Sequence, residues 1–258
     1  MRPEQALVPY APGRLEGDSV LVLAPHPDDE VFGCGGFLAH AVGEGRRIEI
    51  LVLTDGAAQG DAATRREESR EAARRLGTPE PMFGALSDRG LDPALPALLD
   101  AIRNALERSR PDLLLVPSPA EIHPDHRAVA LAVASLAVSS VILPDTTIAA
   151  YEVSAMLRPN LLLAIDSVWE RVLDAARAFT SQLGTHPYLD VLECAATIRA
   201  LTLGREVSRA EGYHVLTAGE IRRMGPLRWA TRQGPTEGLE LPRTRFGLLG
   251  RLIDRRHR

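Results

Sequence analysis

Apolar positions along the chain fall into two alternating patterns. Four short runs rich in Val, Ile and Leu recur: "SVLVLAP" (19–25), "RIEILVLTD" (47–55), "PMFGAL" (81–86) and "DLLLVPS" (112–118). Each is bounded by turn residues and predicts a strand. Between them, "GGFLAHAVGEG", "AATRREESREAARRLG" and "ALPALLDAIRNALERSR" carry the three-to-four-residue spacing of helices. Strand, helix, strand at this rhythm predicts βαβ crossovers and a largely parallel sheet. The runs are continuous rather than alternating, as strands covered on both faces should be. Leu76-Gly77 with Pro79 behind it predicts the end of the second helix.

The uncharged stretch 128–144 falls short of the roughly 20 residues a membrane span needs, and predicts a buried helix running into a turn. Beyond it the pattern changes. "TTIAAYEV" and "LLLAID" predict further strands, "SVWERVLDAARAFTSQLG" an amphipathic helix, and "LDVLECAATIRALTLGREVSRAEGY" a second, long helix. These cap the sheet or close over its rim. From Gly225 onward Pro, Gly and Arg dominate, and the chain ends in a short basic amphipathic pattern, "RTRFGLLGRLIDRRHR". The expectation is a frayed or partner-docked terminus ahead of a membrane-surface anchor. The organisation predicted is a lead-in over 1–18, one domain over 19–224 and a basic tail over 225–258.

Composition changes this picture little. A net charge of −4 provides no general attraction for phosphate, so a nucleic-acid partner is not expected. Cys34 and Cys194 lie far apart with no CxxC spacing, so neither a disulfide framework nor a cysteine-based zinc site is indicated. With an N-terminus that lacks an apolar signal core, the expected compartment is the cytoplasm.

The chemistry sits in the loops. Loops at the carboxyl ends of parallel strands converge, and two polar clusters occupy such places. "HPDDE" (26–30) follows the first strand and "HPDH" (123–126) shortly follows the fourth. Either alone reads as a turn and helix cap. Two of them at equivalent places point to something positive, because buried imidazoles and carboxylates packed together are otherwise costly. A divalent cation meets that need. Catalytic zinc takes three ligands from His, Asp and Glu and leaves one position for water, although iron(II), manganese and cobalt accept the same donors. "GCGG" (33–36) is read as a sharp turn that packs close to the sheet before the helix rises. Its spacing is not the G-x-G-x-x-G of a phosphate site. Cys34 reads as a small buried hydrophobe.

These residues resemble the PIG-L, or LmbE-like, N-acetylglucosaminyl deacetylase family. "PHPDDE" is similar to its first motif, with Pro25 in place of alanine, and "HPDH" to its second. "RREESREAARRLG" resembles its helix through Arg65, Glu68, Ala72, Leu76 and Gly77, and "ALSDRGL" its aspartate turn through Asp88. The likeness runs from residue 19 to about 140, and beyond that only "SQL" (181–183) and "AEGY" (210–213) match.

The resemblance implies a Rossmann-like three-layer α/β sandwich with a mainly parallel sheet and a helical C-terminal extension. It implies a zinc-dependent hydrolase that deacetylates an N-acetylated amino sugar or glycoconjugate, a glycolipid among the candidates, releasing acetate and a free amine. His26, Asp29 and His126 would hold Zn2+, with Fe2+ an alternative, and Asp28 would be the general base. His123 would polarise the carbonyl oxygen or protonate the leaving amine, and Asp125 would orient or charge it. Arg65 and Asp88 would bind substrate; Glu30 is left unassigned, a position suited to orienting a ligand. Two histidines and one carboxylate also make the triad of non-haem iron oxygenases, and a sugar-binding relative without turnover is the non-enzymatic alternative. Oligomeric state is left open.

Overall fold

The structure, a computed structural model, describes residues 7–92 and 95–234. It is an α/β sandwich of three layers. The first half runs β1 (Ser19–Ala24), α1 (Asp29–Gly43), β2 (Arg47–Thr54), α2 (Ala62–Leu76), β3 (Met82–Leu86), α3 (Pro96–Ser109), β4 (Leu113–Pro117) and α4 (Pro124–Val138). The second half runs β5 (Thr147–Tyr151), β6 (Leu161–Ala164), α5 (Trp169–Ala176), α6 (Thr180–Leu183), α7 (Tyr188–Ala200), β7 (Ala210–Thr217), α8 (Ala218–Met224) and α9 (Pro226–Gln233).

The seven strands form one sheet in the order β3-β2-β1-β4-β5-β7-β6. β3, β2, β1, β4 and β5 are parallel, whereas β7 is antiparallel to both β5 and β6. Side chains of the central strands alternate between two cores. Val20, Val22, Ile50, Val52 and Leu115 pack with α1 and α5 on one face, and Leu21, Leu23, Leu51, Leu53 and Leu114 pack with α3 and α4 on the other. Burial on both faces explains the unbroken apolar runs. β1 and β4 are neighbours, and the chain proceeds outward from them in opposite directions. The loops after β1 and β4 therefore face each other across the crevice where such sheets bind ligands.

The structure revises three expectations. The helix read over 189–213 ends at Ala200, and after the turn at Gly204 the chain forms β7. The helix read over 167–184 is broken into α5 and α6, with Phe179 wholly buried at the break. The glycines of "GCGG" do not precede a helix: α1 already begins at Asp29, and its backbone breaks at Cys34 (φ −150°, ψ 26°). Their use is close approach. A Cβ on Gly33 would lie 2.3 Å from the Tyr151 ring, and one on Gly36 would lie 2.4 Å from Ile165.

Residues 226–233, placed in the basic tail from sequence, form α9, and its Trp229 and Ala230 are buried in the core. The rest of that tail, 235–258, and residues 1–6 of the lead-in lie outside the described residues. Among the described residues no helix is long and apolar enough to cross a membrane.

Candidate metal and catalytic site

The loop after β1 turns through Pro25, His26 and Pro27 and enters α1 at Asp29. Asp28, the residue between, has φ 133° and ψ −29°, a backbone region that side chains rarely adopt. Three contacts hold it there. Its amide donates to Glu30 Oε2 (2.9 Å), Arg65 Nη2 donates to its Oδ2 (2.9 Å), and the same Nη2 donates to the carbonyl of Pro27 (2.7 Å). Glu30 is fixed in turn by the Ser69 hydroxyl at 2.5 Å. Arg65 and Ser69 lie four residues apart and so share one face of α2.

Asp29 opens α1 and meets the histidines. Its Oδ2 is 3.2 Å from His26 Nδ1 and 3.2 Å from His126 Nε2, and those two nitrogens are 3.3 Å apart. Three donor atoms thus form a nearly equilateral triangle. A tetrahedral ion with bonds of ~2.0–2.1 Å needs donor spacings of about 3.3–3.4 Å, so a zinc ion fits this set. The far nitrogen of each ring is also placed. His26 Nε2 lies 3.2 Å from both Asp125 Oδ2 and Asp88 Oδ1. His126 Nδ1, which has no hydrogen bond of its own, lies 3.7 Å from Glu121 Oε2. Carboxylates behind ligating imidazoles are the usual means of fixing their tautomer and orientation.

His123 caps α4, its Nδ1 accepting from the amide of Asp125 (3.2 Å). Its ring stands edge-on to that of His26 at 4.5 Å, and one nitrogen of each of His26, His123 and His126 falls within a common ligand-sized space. A second possible cation set is His26, Asp88 and Asp125.

The electrostatics of the cluster express a demand for positive charge. Asp28, Asp29, Glu30, Glu121 and Asp125 are all buried, with one buried guanidinium, Arg65, against them. Burial alone would lower His26, but hydrogen bonds to Asp125, Asp29 and Asp88 push it up to about 12. His126 rises to about 9, burial being outweighed by Asp29 and Glu121. Asp29 is held far below the usual carboxylate range, since burial is overcome by His126 and His26. Protons on the imidazoles here do what a divalent cation does: they balance acids that have lost water.

Asp28 behaves differently. Burial first, and Asp29 second, raise it to about 8, against the pull of Arg65 and His26. His123 is lowered, by burial and then by the positive His26 and His126. Two adjacent carboxylates are thereby driven apart, one held ionised among the donors and one poised to take a proton.

All eight residues singled out from sequence come to this crevice, but two make contacts other than those expected. The Asp125 carboxylate faces His26 and the amides of Arg89 (2.7 Å) and Leu91 (3.1 Å), touching His123 only through its own backbone amide. Asp125 lies in the first turn of helix α4, which begins at Pro124. Arg65 places its Nη groups on Asp28, Pro27 and Gly56 and so holds the carboxylate while lining the pocket. Asp88 accepts from the amide of Ala58 (3.1 Å) and lines the pocket.

Sequence reasoning missed Glu121, whose carboxylate gathers the amides of Val153, Ser154 and Ala155 as well as facing His126. Its position two residues before "HPDH" was the available signal. It also missed Gln59, Gln182, Phe32 and Tyr188, which line the pocket from distant segments.

Fold and site together define a Rossmann-like α/β protein with an imidazole and carboxylate cluster at its switch point that can hold a metal. The profile of the PIG-L family, GlcNAc-PI de-N-acetylase, matches residues 21–137, the part of the chain that runs from β1 through α4. A diacetylchitobiose deacetylase of Thermococcus kodakarensis is 32% identical over 120 residues, a match that covers 42% of this chain and 45% of that relative's length. Among solved structures, the N,N'-diacetylchitobiose deacetylase of Pyrococcus horikoshii superposes with a TM-score of 0.67 at 25% identity, over 79% of this chain and 85% of the other. A conserved protein of Thermus thermophilus superposes with a TM-score of 0.66 at 30% identity, over 77% of this chain and 94% of the other.

Proposed function

We propose that the protein is a zinc-dependent amidohydrolase that removes the acetyl group of an N-acetylated amino sugar, releasing acetate and a free amine. The observation that carries this reading is the triangle of His26 Nδ1, Asp29 Oδ2 and His126 Nε2 with the separate Asp28 carboxylate beside it. Similarity to sugar deacetylases supports the substrate class.

His26, Asp29 and His126 would hold the zinc, which when bound would supply Lewis acidity toward the amide carbonyl and a water. Asp28 takes the proton of that water, and burial with the neighbouring Asp29 charge raises its carboxyl above the ordinary range, which strengthens it as a base. Arg65 holds Asp28 Oδ2 and leaves the rest of the carboxylate to the substrate side. His123, the half-exposed imidazole of the three, faces the developing oxyanion and the departing nitrogen. Asp125 and Asp88 fix His26, and Glu121 fixes His126. Sugar hydroxyls meet Gln59, Asp88 and Gln182.

The test is to incubate zinc-loaded protein with N-acetylglucosamine and N,N'-diacetylchitobiose and score acetate and primary amine together. Stoichiometric release of both without oxygen consumption is expected. Oxygen uptake would instead favour iron chemistry on the same donors, and absence of release from a panel of N-acetyl amino sugars would overturn the reading.

A further inference from the structure

An apolar cavity beside the metal cluster has no part in the chemistry described so far. It lies among α1, α7 and β7 and is lined by Phe32, Val153, Tyr188, Val191, Leu192 and Ala195. Phe32, Val153 and Tyr188 line the catalytic pocket as well, so the two spaces adjoin. Two carboxylates reach the cavity, and both are committed to the chain itself. Glu211 accepts from the amides of Gly36 (2.6 Å) and Phe37 (2.9 Å) and from the Tyr213 hydroxyl (2.6 Å). Glu152 pairs with Arg199 and accepts from the amide of Leu157 (2.9 Å). The cavity therefore presents carbon to an occupant.

The rest of the catalytic pocket is polar, through Gln59, Asp88 and Gln182. Two substituents diverge from an amide at the metal: the sugar from its nitrogen and the acyl chain from its carbonyl carbon. Sugar hydroxyls are stabilised against the polar wall, which leaves the acyl chain for the apolar one. We propose that the cavity is an acyl-chain subsite, and that the protein prefers N-acyl groups a few carbons longer than acetyl. This rests on the N-deacylase reading above. The cavity measures about 40 Å³. At ~10–15 Å³ for each water on this measure, it has room for roughly three waters, which matches a short chain and not a lipid tail.

The experiment measures kcat/KM for amine release by zinc-loaded protein over N-acetyl-, N-propionyl-, N-butyryl- and N-octanoylglucosamine, with methyl and butyl glycosides of N-acetylglucosamine as a parallel series. Burial of each methylene is worth about fourfold, so N-butyryl, two methylenes longer, should exceed N-acetyl by about fifteenfold. N-octanoyl should fall back, and the two glycosides should be equal. Ala195→Phe fills the cavity and should bring the butyryl-to-acetyl ratio toward one. Calorimetry of acetate and butyrate binding to the zinc-loaded protein provides a readout independent of turnover, with butyrate expected to bind more tightly.

Acetyl turnover with no gain on elongation, or a gain confined to the glycosides, would overturn the subsite alone. Tighter butyrate binding with no amine released from any compound would overturn the deacylase reading and leave the subsite standing. Equal binding of the two acids without turnover would overturn both.

Discussion

Asp28 is held at φ 133° by Glu30, Arg65 and Ser69 acting through one another, a conformation that costs about 1–3 kcal/mol and persists only where its surroundings enforce it. Such strain is consistent with a carboxylate aimed at a reacting atom. Asp28→Asn should keep zinc bound while lowering kcat by about 10²- to 10⁴-fold, the usual worth of a general base. Metal content and initial rate on one preparation check this. Arg65 lowers the pKa that burial and Asp29 raise, and the base works ionised, so activity should climb as pH rises through the titration of Asp28. Removing the guanidinium in Arg65→Met should move that climb to higher pH. A pH profile of kcat/KM with an unmoved limb would show that Arg65 does not tune the base. The imidazoles and carboxylates of this site were legible in "HPDDE" and "HPDH", but their partners were not. Asp125 meets His26 across 99 positions of sequence and Arg65 meets Asp28 across 37, contacts that exist only once the strands are ordered.

Helix α1 is two segments joined at Cys34, and the amides exposed by the break at Gly36 and Phe37 are capped by Glu211 from β7. The carboxylate thus replaces lost helical bonds and ties the helix that carries Asp29 to the antiparallel strand. It also explains why β7 escaped the reading of the sequence. A strand with a half-buried acid at its second position does not show the unbroken apolar run that announced β1, β2 and β4, and the helical spacing of α7 runs on in sequence through Leu201 and Leu203. Burial pushes Glu211 up to about 7 from an ordinary 4.5, against hydrogen bonds that favour its charge. The folded protein therefore holds this proton more tightly than the unfolded chain. Its contribution to stability is fully present below pH 4.5 and is lost as pH rises toward 7. Glu211→Gln should flatten that part of the slope in denaturant unfolding at pH 5 and pH 8; an unchanged slope would assign it to other groups. Gly33→Ala should destabilise by about 1–3 kcal/mol, because the added carbon meets the Tyr151 ring in a packed core.

Across the whole molecule, the order β3-β2-β1-β4-β5 places two loops a hundred residues apart on the two sides of one crevice. Alternating strands and helices made that much predictable, since parallel crossovers leave few arrangements. The C-terminal third was less legible because the helical spacing of α7 continues into the turn before β7, and the break between α5 and α6 is set by packing of Phe179 in the core. Among the described residues the buried acids outnumber the buried guanidinium groups, Arg65 alone, and on the proposed reading a bound cation offsets that excess. Zinc at a hundredfold excess over its Kd should add about 2.7 kcal/mol to unfolding of chelator-treated protein, and His26→Ala should abolish that increment.

The most direct measurement titrates zinc into metal-free protein while following amine release from an N-acetyl amino sugar. Activity should rise in proportion to zinc and level off at one equivalent, with Asp28→Asn binding the same equivalent and remaining inactive. Turnover that persists without metal, or an Asp28→Asn variant as active as the unsubstituted protein, would contradict the account.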